Sequence, residues 1–222
     1  MTKNINKIVK MANKKPQSSK QWLKRHFDDT YVKQSWQSKY RSRAAFKLLE
    51  IQQKDKILKP GMRVVDLGAA PGSWTQVAQN IIGKNGKIIA LDILPIDPIL
   101  DVDIITGDFT KQDILVQLQD KLNNEKVDIV LSDIAPNLSG QKSVDQPKSI
   151  YLNELALDFA IHHLKPNGTC LCKVFQGEGF QEFYQECKKY FKTIISRKPD
   201  ASRDRSTEIY ILGKNFINNT KL

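Results

Sequence analysis

The sequence predicts a Rossmann-like α/β fold, in which helices cover both faces of a mostly parallel sheet of seven strands. From residue 62 onward, seven apolar runs of strand length follow one another, and helical candidates separate most of them. Strands that alternate with helices are typical of βαβ units and therefore of parallel sheets. The last two runs are joined only by PDASRDRST, which is too short for a crossover helix, so the last strand is expected to be antiparallel.

The individual elements follow from these runs. Strands are predicted at residues 62–67, 87–92, 103–108, 127–132, 169–175, 192–198 and 208–213. Helices are predicted between them at about 73–82, 111–122, 150–164 and 179–191. Two further helices, at 20–33 and 43–54, precede a Pro-Gly turn at residues 60–61. The residues 134–149 are rich in Pro, Gly, Asn and Ser, and predict a loop that either closes over a substrate or is a passive connection.

Composition and pattern divide the chain into four parts. Residues 1–19 form a basic tail that is expected to be flexible, and Met11 is an alternative start. Residues 20–60 are expected to be basic helices packed on the core, residues 61–214 the sheet domain, and residues 215–222 a C-terminal tail.

Charge and cysteine content limit the class of protein. The 222 residues carry a formal net charge of +11, which favours a polyanionic partner such as nucleic acid. No run approaches the roughly 20 apolar residues that span a bilayer, so we expect a soluble protein without a membrane partner. The three cysteines, Cys170, Cys172 and Cys187, have no paired metal-ligand spacing, so we expect no metal and a reducing compartment. We predict a cytoplasmic monomer, with the mitochondrial matrix as a minor alternative location.

The segment VVDLGAAPGSW, residues 64–74, predicts a ligand-binding turn at the end of the first strand. Gly68 and Gly72 bracket the turn, and small residues there let the backbone approach a ligand closely. Pro71 has no N–H to offer a phosphate, and Asp66 would repel a pyrophosphate. Both features favour a ligand with a cationic end, such as the amino group and sulfonium of S-adenosylmethionine.

Carboxylates end the next strands as well. Asp92 ends the second strand, where an acidic side chain accepts hydrogen bonds from ribose hydroxyls, and Asp108 ends the third, where it is placed to meet an adenine. Each alone is typical of an ordinary turn, but three carboxylates at the ends of three successive strands favour a ligand site. Trp74 is either a wall of that site or a packed aromatic residue.

Lys173 is unusual because it lies inside the apolar run TCLCKVF, which is predicted to be a central, covered strand. Either it extends to water at the exposed end of the strand, or it is functional, since a buried lysine is costly unless it is paired. Asp133 ends the fourth strand, Glu208 starts the last, and Lys47 lies in the basic helix before the domain. If the fourth and fifth strands are neighbours, Asp133 and Lys173 meet.

Five stretches of the sequence resemble the signature blocks of the FtsJ/RrmJ family of ribosomal RNA ribose 2′-O-methyltransferases. They are SRAAFKLLEI, VVDLGAAPGSW, LSDIAPNLSG, KVFQGEGF and RKPDASRDRSTEIYI, and the similarity runs from about Trp22 to Leu212. The resemblance implies the class I S-adenosylmethionine-dependent methyltransferase fold. It also implies a Lys-Asp-Lys-Glu tetrad, which falls on Lys47, Asp133, Lys173 and Glu208.

The same resemblance places the cofactor contacts of the family on Gly72, Trp74, Asp92, Asp108 and Asp133. With the residues of the first turn, the predicted cofactor-binding set is Asp66, Gly68, Gly72, Ser73, Trp74, Asp92, Asp108 and Asp133. Ser73 departs from the family, whose close relatives often have glycine there, and Ala45 replaces a larger aromatic residue.

The predicted chemistry is methyl transfer to a ribose hydroxyl, with Lys173 as the proton acceptor. Proximity to Lys47 and partial desolvation favour its neutral amine, Asp133 orients it, and Glu208 holds Lys47 or the substrate. RNA is expected to approach across the basic N-terminal helix and the cluster Arg197, Lys198, Arg203 and Arg205, although this cluster is also typical of a solvated loop.

The resemblance implies that the substrate is a uridine of large-subunit ribosomal RNA, modified late in maturation of the 50S subunit. Two alternatives are a non-catalytic RNA-binding ribosome assembly factor that retains the fold, and a small-molecule methyltransferase. The intact tetrad argues against the first, and a charge of +11 is unnecessary for the second.

Overall fold

The computed structural model describes residue 31, residues 38–203 and residues 206–217. The strands in these ranges are β1 (Arg63–Leu67), β2 (Lys87–Asp92), β3 (Val102–Thr106), β4 (Val127–Ser132), β5 (Leu164–Phe175), β6 (Phe191–Arg197) and β7 (Glu208–Phe216). The helices are α1 (Ala44–Asp55), α2 (Ser73–Ile82), α3 (Gln112–Leu122), α4 (Lys142–His163) and α5 (Phe180–Tyr190). The predicted tail 1–19, nearly all of the predicted helix 20–33, Arg205 and residues 218–222 lie outside the described residues.

The seven strands form one sheet in the order β3-β2-β1-β4-β5-β7-β6. Strands β1 to β5 pair in parallel, whereas β7 is antiparallel to both of its neighbours, β5 and β6. The predicted mostly parallel sheet with an antiparallel last strand is therefore confirmed. The chain proceeds from β1 in both directions across the sheet, so the carboxyl ends of β1 and β4 border the crevice in which open α/β sheets bind ligands.

The central strands are apolar on both faces because helices cover both faces. Successive side chains of a strand point to opposite sides, and in β1 Val64 packs with α1 and α2 while Val65 packs in the cluster that includes α3, α4 and α5. Both valines are buried, and burial of each contributes roughly 2 kcal/mol relative to an exposed position. This double layer fixes the ends of β1 and β4 rigidly in the sheet.

Helix α4 begins at Lys142, eight residues before the predicted start at 150. The second half of the predicted loop 134–149 is therefore helical, and that part of the prediction is wrong. The carboxylate of Asp145 accepts hydrogen bonds from the backbone N–H groups of Ser139 (2.8 Å) and Gly140 (2.9 Å), which secures the helix start. Pro147 lacks an N–H and removes only one hydrogen bond of the second turn, so it does not end the helix.

No helix in the described ranges is both long and apolar enough to cross a membrane.

Candidate active site

A cleft of about 490 Å³ opens at the carboxyl ends of the five parallel strands β1 to β5. Five of the predicted site residues line it: Gly68, Asp92, Asp108, Asp133 and Lys173. Its apolar lining includes Ile93, Leu94, Phe109, Ile134 and Leu152. Carboxylates beside apolar side chains suit a ligand that combines hydroxyl groups with a flat aromatic ring.

The turn after β1 requires glycine at residue 68. Gly68 has a φ of +73°, and a Cβ at this position would lie 2.7 Å from the Cα of Ile134. Only glycine lets the backbone after β1 approach the backbone after β4 this closely. The N–H groups of Gly68 and Ala69 donate to the carbonyl of Leu91 at 2.8 and 3.1 Å, which joins the turn to β2.

Asp92 and Asp108 are held in place by backbone groups. Asp92 accepts the N–H of Ala70 at 2.9 Å and the N–H of Leu94 at 2.8 Å, so it fixes the first turn against the cleft wall. One oxygen of Asp108 accepts both the N–H and the hydroxyl of Thr110, and these bonds lower the pKa of the Asp108 carboxyl. Asp108 is therefore ionised at neutral pH and able to accept hydrogen bonds from a ligand.

The other predicted cofactor residues, Asp66, Gly72, Ser73 and Trp74, are buried behind the turn and do not line the cleft. Ser73 Oγ lies 2.7 Å from Ser42 Oγ, and the indole N–H of Trp74 donates to the carbonyl of Ala44 at 2.8 Å. These contacts attach the N-terminal segment to α2. In this structure, the side chains of Ser73 and Trp74 support the turn from below.

Asp66 is completely buried beneath the turn. Its Oδ2 accepts the hydroxyl of Thr75 at 2.6 Å, while its Oδ1 has no hydrogen-bond partner in the described part of the chain. Burial raises the pKa of Asp66 to about 7, against the opposing effect of the Thr75 hydrogen bond. The carboxylates of Asp133 and Asp92 add to the rise.

Arg41 also supports the turn, and sequence reasoning missed this role. Its guanidinium donates to the carbonyls of Pro71 (2.9 Å), Asp97 (2.8 Å) and Pro98 (3.0 Å). The side chain therefore connects the first turn to the loop after β2. Three carbonyl partners spread over two loops are a tertiary feature that no local pattern predicts.

The four residues of the predicted tetrad form two ion pairs, and the members of one of them, Asp133 and Lys173, line the cleft. Lys173 Nζ lies 3.2 Å from Asp133 Oδ1, and Lys47 Nζ lies 2.6 Å from Glu208 Oε1. Strands β4 and β5 are neighbours, with Ser132 opposite Cys172, so the condition for Asp133 and Lys173 to meet is fulfilled. Lys173 is only 7% exposed and lines the cleft, so it does not extend to bulk water.

Tyr210 joins the two ion pairs, and sequence reasoning missed it. Its hydroxyl lies 3.0 Å from Asp133 Oδ1 and 3.3 Å from Glu208 Oε1, and the residue is completely buried. It pairs with Lys173 across β5 and β7. The signal was present in the sequence, because Tyr210 follows Glu208 by two residues and so shares its face of the strand.

Opposing effects set the protonation of the groups around Tyr210. Burial raises the pKa of Glu208, but the charge and hydrogen bond of Lys47, with the charge of Lys173, outweigh it and lower the pKa overall. Burial, followed by the charges of Asp133 and Glu208, raises the pKa of Tyr210 well above its ordinary value. The phenol therefore keeps its proton and acts as a hydrogen-bond donor.

The predicted RNA-binding cluster is only partly available. Arg197 makes a two-pronged ion pair with Asp55, at 2.8 and 2.7 Å, and Lys198 Nζ donates to the backbone carbonyls of Ser206 and Glu208. Arg203 is exposed, and Arg205 lies outside the described residues. Two of the four basic residues thus stabilise the fold around β7.

A cleft at the switch point of a Rossmann-like sheet, with carboxylates along it and a lysine at its mouth, defines an S-adenosylmethionine-dependent methyltransferase. The carboxylates suit the hydroxyl and amino groups of that cofactor, and Gly68 provides the close backbone approach. In the described ranges, no group of three His, Cys, Asp or Glu side chains is arranged to hold a metal ion.

The chain belongs to the FtsJ-like methyltransferase family, whose sequence profile matches residues 40–216. It is 55% identical over 200 residues to the ribosomal RNA large subunit methyltransferase E of Azoarcus sp. (strain BH72), covering 90% of this chain and 98% of that one. The recognised resemblance, the fold class and the S-adenosylmethionine cofactor are therefore confirmed.

Solved structures agree with this assignment. A Plasmodium falciparum protein assigned as a ribosomal RNA methyltransferase is 34% identical, with a TM-score of 0.70 over 80% of this chain and 98% of that one. Aeropyrum pernix fibrillarin, crystallised with natively bound S-adenosyl-L-methionine, is 17% identical, with a TM-score of 0.51 over 77% of this chain and 73% of its own; this likeness concerns the fold.

Proposed function

We propose that this protein methylates the ribose 2′-hydroxyl of a uridine in large-subunit ribosomal RNA, late in maturation of the 50S subunit. The observation that carries the proposal is the buried Lys173 amine, held by Asp133 at the mouth of the cofactor cleft. The protein is proposed to act as a cytoplasmic monomer. The large-subunit substrate is supported by the name of the Azoarcus relative, and the uridine by the resemblance of the five sequence blocks.

The reaction requires a proton acceptor, which distinguishes it from methylation of a stronger nucleophile. A ribose hydroxyl holds its proton tightly at neutral pH and attacks poorly until that proton is removed. When bound, S-adenosylmethionine would supply an electrophilic methyl group and would leave as the neutral thioether S-adenosylhomocysteine. Lys173 takes the proton that the 2′-hydroxyl loses as its oxygen is methylated, and Asp133 holds the amine in position for this transfer.

The remaining residues divide into those that hold the cofactor and those that support its turn. Gly68, Asp92, Asp108 and Asp133 line the cleft and would contact the cofactor directly. Asp66, Gly72, Ser73 and Trp74 would act from behind the turn by fixing its conformation. Lys47 and Glu208 would hold the acceptor side of the site, because their ion pair closes the network that begins at Lys173.

RNA rather than DNA follows from the chemistry, since only RNA has the 2′-hydroxyl. The net charge of +11 supports binding to a polyanion, and exposed Arg203 is adjacent in sequence to Ser202, whose hydroxyl donates to Glu208 at 3.1 Å. A phosphate contact at Arg203 would therefore be close to the network. A small-molecule methyltransferase has no need of these features.

A transfer assay with labelled S-adenosylmethionine tests the proposal. Large ribosomal subunits lacking the modification, free ribosomal RNA and small subunits would be compared as acceptors, and modified positions mapped by resistance of the 2′-O-methylated linkage to alkaline cleavage. We expect one 2′-O-methyluridine in the large subunit. Label on a base, or no transfer to any acceptor, would contradict the proposal, and the second result would favour the non-catalytic assembly factor.

A further inference from the structure

Tyr210 occupies the centre of the network that the proposed reaction uses. Its hydroxyl lies within hydrogen-bond distance of both carboxylates, and its ring lies 5.8 Å from Lys47 Nζ, a cation–π distance. Across the sheet it pairs directly with Lys173. One side chain thus contacts or adjoins all four members of the tetrad.

Its position is fixed by packing. The ring of Trp74 packs against that of Tyr210 with 5.5 Å between centroids, and Trp74 is itself bonded to the carbonyl of Ala44 at the start of α1. Tyr210 is completely buried near the start of β7, the strand that lies between β5 and β6. A phenol in such a position normally satisfies its hydroxyl, and here the acceptors are the two carboxylates.

We propose that Tyr210 is a positioning residue that couples the two ion pairs and weakens the hold of Asp133 on the proton of Lys173. The hydroxyl and the lysine share one oxygen, Asp133 Oδ1, at 3.0 and 3.2 Å. A hydrogen bond from the phenol draws negative charge from that oxygen, so the oxygen stabilises the ammonium form of Lys173 less. The neutral amine that must accept the proton is then populated at lower pH.

The inference rests on the proposed function, and it predicts the direction in which Tyr210→Phe shifts the dependence of kcat on pH. This change removes only the hydroxyl and keeps the ring that packs on Trp74. The charge on Asp133 is then uncompensated, so the rising limb of kcat against pH should move upward by about half to one pH unit. At neutral pH, kcat should fall about three- to tenfold, while KM for S-adenosylmethionine stays within about twofold.

A second variant, which should shift the pH profile in the opposite direction, keeps the proposal testable if the phenylalanine variant folds poorly. Replacing Tyr210 by 3,5-difluorotyrosine keeps the ring and the hydroxyl but makes the hydroxyl a stronger donor. The rising limb should then move to lower pH. Tyr184→Phe, in the half-buried stretch of α5, is the matched control and should leave the profile unchanged.

The experiment compares kcat-against-pH profiles and cofactor KM for the wild type and the three variants, with the same large-subunit acceptor. Opposite displacements for phenylalanine and difluorotyrosine support the inference. An unmoved profile in either folded variant, or a loss of kcat that is equal at every pH and accompanied by a raised cofactor KM, overturns it. The wild-type arm separately tests the proposed function, because that function fails if the wild type forms no 2′-O-methyl group.

Discussion

Lys173 contacts Asp133 through two different atoms. Its Nζ donates to the backbone carbonyl of Asp133 at 2.5 Å and lies 3.2 Å from the carboxylate oxygen Oδ1. The first contact depends only on the ends of β4 and β5, so the register of the sheet places the amine. The second supplies the charge that orients it. Position and electrostatics are therefore set by different parts of one residue.

Lys173→Arg distinguishes a proton acceptor from a fixed positive charge. An arginine keeps the charge beside Asp133, but its guanidinium stays protonated at all working pH values. We expect kcat to fall by about 10²- to 10⁴-fold, the usual contribution of a general base, while cofactor affinity is retained. Single-turnover methyl transfer and cofactor titration measure the two quantities. Lys165→Arg, in the same strand, is the control, and a fully active Lys173→Arg enzyme would exclude the general-base role.

The Lys47–Glu208 pair is expected to contribute to stability as well as to the site. Both side chains are largely buried, so Lys47→Ala leaves an uncompensated carboxylate and should lower the free energy of unfolding by about 2–4 kcal/mol. Lys47→Ala combined with Glu208→Gln should cost less than the sum of the single changes. Chemical denaturation of the four proteins at pH 7 measures the coupling, and strict additivity would show that the pair is not linked.

The Lys47–Glu208 pair also makes the free energy of unfolding depend on pH at acidic pH. The pKa of Glu208 is lowered in the fold, so the unfolded chain takes up the proton first as pH falls. The stabilisation is present above the ordinary carboxyl pKa and is lost as pH falls through the lowered one. In Lys47→Ala this loss should be smaller. A steeper acid-side loss in the variant would contradict the assignment.

The predicted basic cluster should separate into structural and RNA-binding residues. Arg197→Ala leaves the buried carboxylate of Asp55 unpaired and should cost about 2 kcal/mol of folding free energy, with little effect on RNA affinity. Arg203→Ala should leave stability unchanged and reduce the slope of log affinity against log salt by about 1. Thermal unfolding and RNA titrations at several salt concentrations measure both, and the reverse pattern would show that the surface is misassigned.

Substitutions of residues that line the cofactor cleft should weaken cofactor binding more than substitutions of residues behind the turn. Asp108→Asn removes a charge from the cleft lining and should weaken S-adenosylmethionine binding by about tenfold, the value of a charge-assisted hydrogen bond. Ser73→Ala loses only a bond to Ser42 and should leave affinity within about threefold. Calorimetric titration of each variant tests this, and equal losses would mean that Ser73 contacts the cofactor.

The sheet was predictable because each strand carries its own signal. Apolar runs separated by helices predicted the strands and the antiparallel end, and the isolated lysine in TCLCKVF identified Lys173 as unusual. The start of α4 was not predictable, since Pro147 is typical of loops and the stabilising bonds from Ser139 and Gly140 to Asp145 depend on their three-dimensional arrangement. A local sequence pattern shows which residues favour a turn, but it does not show which way a side chain points in the folded protein.

Among the site residues too, some were predictable from the sequence and others were not. Those at strand ends were predictable, because the carboxyl ends of parallel strands share one edge of the sheet. Arg197 looked like an RNA contact because its partner, Asp55, is 142 residues away in the sequence. Arg41 was missed because its partners are backbone carbonyls of distant loops, and Tyr210 because one of its partners, Asp133, follows a different strand. Function assigned from charge alone therefore fails where an ion pair crosses the fold.

The raised pKa of Asp66 predicts how the free energy of unfolding changes with pH up to and beyond neutrality. Its pKa rises from an ordinary 3.8 to about 7 in the fold, so between these values the native state keeps a proton that the unfolded chain has released. The free energy of unfolding should therefore fall as pH rises through this window, by up to about 4 kcal/mol. Asp66→Asn stays neutral, so its stability relative to the wild type should increase from pH 4 to pH 8.

Urea denaturation of the cofactor-free proteins at several pH values measures this difference. Asp120→Asn, an exposed change on α3, corrects for general loss of negative charge. A difference that does not change with pH would mean that Asp66 is already ionised in the fold.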